Sequence, residues 1–132
     1  MAILTSIFVS TWTSGRIAIG GDAYLDELAD MILDAFDFDS DHLYRFSYKD
    51  RFGCTVEIDH PYLAGESDNA LADAVKIGEI PLIKGMRIKF LFDFGDQWKF
   101  AIQTESVDVG SVTKQPQVLE KHGKAPEQYG DY

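Results

Sequence analysis

Apolar residues recur at helical spacing in one stretch of this chain and alternate with polar residues in several others. Leu25, Leu28, Ala29, Ile32, Ala35 and Phe36 form one apolar stripe over about three turns, which predicts an amphipathic helix. Asp22, following Gly20-Gly21, reads as its N-cap. Asp26 and Glu27 in the first turn suit the positive end of the helix dipole, whereas Asp34 opposes the dipole near the other end.

Strand patterns surround this helix. Tyr44, Phe46 and Tyr48 share one face against Arg45, Ser47 and Lys49, and Phe52, Cys54, Val56 and Ile58 share one face against Gly53, Thr55, Glu57 and Asp59. Joined across Lys49–Arg51, the two runs predict a hairpin with Cys54 on its core side. A longer hairpin follows, in which Met86, Ile88, Phe90, Phe92 and Phe94 alternate with Arg87, Lys89, Leu91 and Asp93. Its return strand carries Trp98, Phe100 and Ile102 after a tight turn at Phe94-Gly95-Asp96. Ile3 to Val9 and Arg16 to Ile19 read as two weaker strands. Pro61 to Asn69 is a polar loop, Ala70 to Val75 a short helix, and the tail after Gly110, with Pro116, Gly123, Pro126 and Gly130, an irregular strap laid over the sheet. The order β-β-α-β-β-β-β predicts a single α+β domain over residues 1–132, with one helix packed across a mainly antiparallel, β-grasp-like sheet.

Composition narrows the classes of function. With 132 residues and 45% hydrophobic positions, the chain can bury a core without a metal or disulfide staple. Its formal net charge is −10, and no Lys or Arg falls between Arg16 and Arg45, where Asp22, Asp26, Glu27, Asp30, Asp34, Asp37, Asp39 and Asp41 all occur. One face of the domain is therefore expected to be strongly negative. Such a charge repels a phosphate backbone and anionic lipid alike, so nucleic acid is disfavoured as a partner and a membrane is not expected. No apolar run approaches the roughly 20 residues needed to cross a bilayer. Met1-Ala2-Ile3-Leu4 lacks the basic flank of a secretory signal. With Cys54 alone no internal disulfide forms, which suits a reducing cytoplasm.

Several short motifs invite chemistry. Asp37-Phe38-Asp39-Ser40-Asp41 opens like an EF-hand loop, but His42 stands where that loop needs Gly and Tyr48 where it needs a bidentate Glu. Asp93-Phe94-Gly95 matches the metal-binding triplet of protein kinases without any partner motif, and Asp93 and Asp96 around Gly95 fit turn residues whose carboxylates accept backbone N–H groups. Nucleophilic use of Cys54 would need a neighbouring base and exposure; its strand position predicts a buried, inert thiol instead. His42, His60 and His122 lack the paired spacing of zinc ligands, and no cofactor is implied. Most of the aromatic residues are expected in the core. Trp98, flanked by Gln97 and Lys99 just after the turn, is the exception that a sheet rim would expose as an interaction anchor.

Three segments together resemble a known family. They are Ala35-Phe36-Asp37-Phe38-Asp39-Ser40-Asp41-His42-Leu43-Tyr44, the run from Phe90 through Asp93-Phe94-Gly95-Asp96-Gln97-Trp98 to Phe100, and the closing Gly123-Lys124-Ala125-Pro126-Glu127-Gln128-Tyr129. In this order they resemble the plasmid pRiA4b ORF-3-like family, whose members are often labelled insertion-element passenger or TnpR-like proteins. The resemblance runs from about Ile7 to the C-terminus and implies a small α+β fold rather than a particular activity. Many members carry His where Phe100 stands, and a Glu-Asp-Cys-Gly-Gly-like ending in place of Glu127-Gln128-Tyr129-Gly130-Asp131, so no His/Cys chemistry carries over. A resolvase role gains no support, because the only arginines are Arg16, Arg45, Arg51 and Arg87 and no basic DNA-binding part is present.

Three functional expectations from different classes follow. The first is a non-enzymatic interaction or accessory module that recognises another protein, one with a basic surface, through Asp93, Gly95, Asp96 and Trp98 at the hairpin tip and Pro126, Glu127, Gln128 and Tyr129 in the tail. Homodimerisation is compatible with it. The second is a metal-assisted hydrolase or small-ligand enzyme that uses Asp37, Asp39, Asp41, His42, Asp93 and Asp96, and it requires the acidic turn and the hairpin tip to converge. A third, a nucleic-acid protein of mobile elements, would need a basic stripe that Lys84, Arg87, Lys89 and Lys99 supply only in part.

Overall fold

The computed structural model describes residues 1–9, 13–110, 116–123 and 128. It contains β1 (Ala2–Phe8), β2 (Ser14–Gly20), α1 (Leu25–Ala35), β3 (Tyr44–Lys49), β4 (Thr55–Asp59), β5 (Ala70–Leu71), β6 (Arg87–Phe92), β7 (Trp98–Asp108) and β8 (Gln117–His122). Eight strands form one sheet in the order β5-β4-β3-β6-β7-β1-β2-β8, with every pair antiparallel except β4 and β5. The α+β architecture with one helix across a mainly antiparallel sheet is thus present. It has two more strands than the periodicity predicts.

Strand alternation divides the sheet into two unlike faces. Ile3 and Ile7 of β1, Ile17 and Ile19 of β2, Phe46 of β3, Phe90 and Phe92 of β6, and Phe100 and Ile102 of β7 are buried. They join Leu25, Leu28, Ala29, Ile32 and Leu33 of α1 in one core. Edge-to-face and tilted ring contacts lock its aromatic part, with Phe90 lying 4.7 Å from Phe46 and 5.5 Å from Phe100. The alternate residues, among them Arg45, Ser47, Arg87, Lys89, Leu91, Lys99 and Ala101, project from the side opposite α1.

Four local expectations are corrected. Tyr24 rather than Asp22 occupies the N-cap, because Ala23 and Gly21 are held in a turn by hydrogen bonds from Ile77 and Gly78 to their carbonyls, at 2.8 and 2.9 Å. Glu27 then accepts the Tyr24 N–H at 3.1 Å. Residues 70–75 do not form a helix: Ala70–Leu71 is a strand beside β4, and the carbonyls of Ala72 and Val75 accept the first-turn N–H groups of Asp26 and Leu25. Phe52 and Cys54 are not on a core face. β4 begins at Thr55, and the Asp50 carboxylate accepts the N–H groups of Phe52 and Cys54, both at 2.9 Å, so a turn leaves the Phe52 ring 76% exposed and the thiol accessible. The tail is not wholly irregular either, since Gln117–His122 pairs with β2 as an edge strand whose six residues are all exposed.

Candidate functional site

The acidic turn owes its shape to the way α1 ends. Asp37 lies in the left-handed region at φ 59°, the Asp37 N–H donates to the Asp34 carbonyl at 3.1 Å and the Phe38 N–H to the Leu33 carbonyl at 2.8 Å. This closure normally favours Gly, and Asp is among the few other residues that tolerate it. It drops Phe38 into the core, 5.0 Å from the Trp98 ring and 5.5 Å from Phe100. Asp39 and Asp41 follow on the exposed side of the chain.

The long hairpin closes differently from a tight turn at 94–96. Asp93 and Gln97 take positive φ values of 62° and 57°, and the Gln97 N–H donates to the Asp93 carbonyl at 2.6 Å, so residues 93–97 make a five-residue connection. Asp93 Oδ1 accepts the N–H groups of Gly95 at 3.1 Å and Asp96 at 3.3 Å. Phe94 is thereby thrown out of the inward alternation; its ring is partly exposed at the tip, with the Arg45 guanidinium 5.6 Å from its centroid.

The turn, the hairpin tip and one residue of the tail meet at this end of the sheet. His42 Nε2 lies 3.5 Å from Asp93 Oδ2 and 3.7 Å from Asp41 Oδ1. Gln128, buried, accepts the Asp39 N–H at 2.6 Å through Oε1, and its Nε2 donates to the Asp39 carbonyl at 3.2 Å and to Asp41 Oδ1 at 3.1 Å. The Trp98 indole N–H donates to the Gln128 carbonyl at 3.3 Å, and the indole is half-buried rather than free at a rim. Asp41, His42, Asp93, Trp98 and Gln128 are therefore brought together. Asp37 closes the helix, Asp39 contributes its backbone, and Asp96 stays exposed on the turn. Pro126, Glu127 and Tyr129 lie outside the described residues.

What this cluster can do is limited by how its groups are already engaged. Among the described residues, no group of three or more His, Cys, Asp or Glu side chains has the arrangement of a metal site. One ring nitrogen, His42 Nε2, faces both carboxylates at ion-pair spacing, too long for a hydrogen-bonded relay and unlike an ion shell.

Two charged groupings take their character from the fold. On the helix side, burial and then the neighbouring carboxylates Glu27 and Asp73 push Asp26 above the usual carboxylate range, and burial followed by Asp26 does the same to Asp30. Tyr44, packed beneath them, is raised for the same reasons, burial first. On the opposite side, Asp59 is fully buried and accepts from Arg45 Nε at 2.6 Å, Ser67 Oγ at 2.5 Å and Asn69 Nδ2 at 3.1 Å. Its burial would raise the carboxyl, but these three hydrogen bonds outweigh that and hold it below the ordinary range. Period-two spacing locates Arg45 and Asp59 on one face. Only the pairing of β3 with β4 sets them opposite each other.

Fold and site together define a small α+β domain, one helix across an antiparallel sheet, with a polar cluster where the helix closure meets the long hairpin. The chain belongs to the plasmid pRiA4b ORF-3-like protein family, whose profile matches residues 11–132. It is similar in fold to the crystal structure of a protein of unknown function, MM3350, from Methanosarcina mazei Go1, with a TM-score of 0.78 and 16% sequence identity over 96% of this chain and 72% of that one. At that identity the likeness concerns the fold alone. Comparison with curated proteins finds no match. Among the described residues no helix is long and apolar enough to cross a membrane.

Proposed function

We propose that this domain is a non-enzymatic interaction module of the cytoplasm that binds a basic segment of another protein along its helix side. The observation that carries this reading is an uncompensated acidic face. Among the described residues, none of Asp22, Asp26, Glu27, Asp30, Asp34, Asp37 and Asp39 is in a salt bridge with Lys or Arg. The mutual repulsion that helps raise Asp26 and Asp30 is relieved when a cation approaches, so a basic partner gains on this face and an acidic one loses. The hairpin tip adjoins the acidic turn, and its Phe94 ring supplies the apolar contact that Trp98, occupied with Gln128, supplies only in part. The test is partner capture with the native chain, the Asp26→Asn/Asp30→Asn/Asp34→Asn variant and Phe94→Ala. Proteins retained by the native chain and lost with both variants support the reading, and retention that is indifferent to both overturns it. A homodimer would use the β8 edge, whose outer side is not paired by any strand among the described residues, and sedimentation of a Val118→Pro variant tests that.

One observation favours a second reading. Asp41, His42 and Asp93 do converge, as acid/base or metal-assisted chemistry on a small ligand would require. Thermal unfolding of chelator-treated protein with millimolar calcium, magnesium, manganese or zinc tests the metal form of this reading. An ion at about 100 times its dissociation constant stabilises a fold by about 2.7 kcal/mol. A selective rise in Tm that Asp93→Asn and Asp41→Asn abolish would support it, and no rise with any ion would remove it.

A further inference from the structure

The acidic protein carries a basic, partly apolar groove on the side of the sheet opposite α1. Successive registers fix its layout. Ser47, Lys89, Ala101 and Phe8 lie in one row across β3, β6, β7 and β1, and Arg45, Leu91 and Lys99 lie in the next. Small side chains at Ser47 and Ala101 leave a hollow of about 490 Å³ beside Lys89, walled by Phe8, Leu91 and Lys99. A second hollow of about 360 Å³ shares Ser47 and Lys89 with it and adds Lys49, Met86 and Arg87. A third of about 890 Å³ continues from Lys49 and Met86 to the exposed side chains of Phe52 and Ile83, flanked by Arg51 and Lys84.

The charge of this groove is not neutralised from within. Arg16 and Arg45 are tied to Glu105, Glu120, Glu57 and Asp59. By contrast, among the described residues no carboxylate lies in a salt bridge with Lys49, Lys84, Arg87, Lys89 or Lys99. Two acids line the groove's far end: Asp50, occupied in capping the turn at Phe52 and Cys54, and Glu79, which accepts the Lys76 N–H at 3.4 Å. In a chain of net charge −10, Lys49, Arg87, Lys89 and Lys99 on this sheet face, with Lys84 in the turn before β6, make a local basic patch that attracts an anionic partner.

We infer that this face opposite α1 is a docking groove for an extended, acidic segment of a second protein that carries apolar side chains between its carboxylates. The cations alternate with hollows lined in part by Ala101, Leu91, Met86 and Ile83, so an occupant gains from apolar side chains as well as from charge. A phosphate backbone could satisfy the cations but would leave these hollows unfilled, and its long-range approach is opposed by the rest of the molecule. This groove lies across the sheet from the acidic helix face, so the inference stands or falls independently of the function proposed above.

Selection of a random dodecapeptide display library on the folded full chain, followed by anisotropy of the strongest peptide after labelling, tests it. The expected peptides combine at least two Asp or Glu with interspersed apolar residues. Lys89→Glu/Lys99→Glu should weaken binding by about tenfold or more, Lys89→Gln/Lys99→Gln by less, and Lys76→Glu, beside Tyr24 on the helix side, should leave it unchanged. Raising salt from 50 to 500 mM should weaken binding in parallel. Four results would overturn the inference: no enriched peptide, enrichment indifferent to the charge reversals, tighter binding of a twenty-residue oligothymidine with the same dependence on Lys89 and Lys99, or self-association of the native chain that the reversals abolish. Circular dichroism of each variant verifies that the sheet is intact, and the glutamine pair keeps the test open should the glutamate pair fail to fold.

Discussion

Asp93 sits where a structural and a chemical role for one carboxylate give opposite forecasts. It is almost fully buried, takes a positive φ, accepts two backbone N–H groups through Oδ1 and faces His42 through Oδ2. Asp93→Ala removes the Oδ1 acceptor and with it two hydrogen bonds, each worth about 1 kcal/mol where the donors stay within reach of water, and adds about 1 kcal/mol for an alanine in the left-handed region. The expected loss is about 3 kcal/mol, which for a domain of this length lowers Tm by about 10 °C. Asp93→Asn keeps an oxygen in the Oδ1 position and a residue that tolerates positive φ, so it should cost under about 1 kcal/mol and less than about 4 °C. Urea unfolding and calorimetry of the two variants at pH 7 measure both numbers. Should Asn prove as damaging as Ala, the negative charge facing His42 matters more than the turn. Should Ala prove harmless, the hairpin tip is not held by Asp93 at all.

Other consequences follow from the same contacts. Gln128→Ala removes three hydrogen bonds to Asp39 and Asp41 and should cost about 1–2 kcal/mol, with faster hydrogen exchange at the Asp39 amide and altered Trp98 fluorescence; unchanged exchange would refute the clamp. Because Asp59 titrates below its unfolded value, its contribution is complete above about pH 4 and is lost as pH falls through the lowered folded value. Asp59→Asn should therefore flatten the acid limb of stability against pH as well as lower stability at pH 7, and an unaltered acid limb would refute the assignment. Cys54 should react with a disulfide reagent in the native state to one equivalent, within about tenfold of its rate in denaturant; protection until unfolding would contradict its exposure in the β3–β4 turn.

The regular parts of this protein were legible because periodicity reports a local choice between facing the core and facing water. The stripe from Leu25 to Phe36 and the alternation at Tyr44–Tyr48 and Ile88–Phe92 follow directly from that choice. The failures share a cause. Residues 70–75 have enough apolar character for a helix, yet their carbonyls serve the open first turn of α1, a demand made by a segment some 45 positions earlier. Cys54 and Phe52 kept the alternation in the sequence but lost it to the Asp50 turn, and Phe94 lost it to the positive φ of Asp93.

From the amino-acid order alone come the α+β class, the helix and its acidic excess, the two long hairpins and the family. These depend on interactions between residues a few positions apart. The tertiary structure alone decided that Gln128 closes the acidic turn, that Asp41, His42 and Asp93 meet, and that Lys49, Lys89 and Lys99 share a groove opposite the helix. Those groupings depend on strand order and register, β3 beside β6 and β6 beside β7, which are set by the joint burial of the whole core rather than by any one segment.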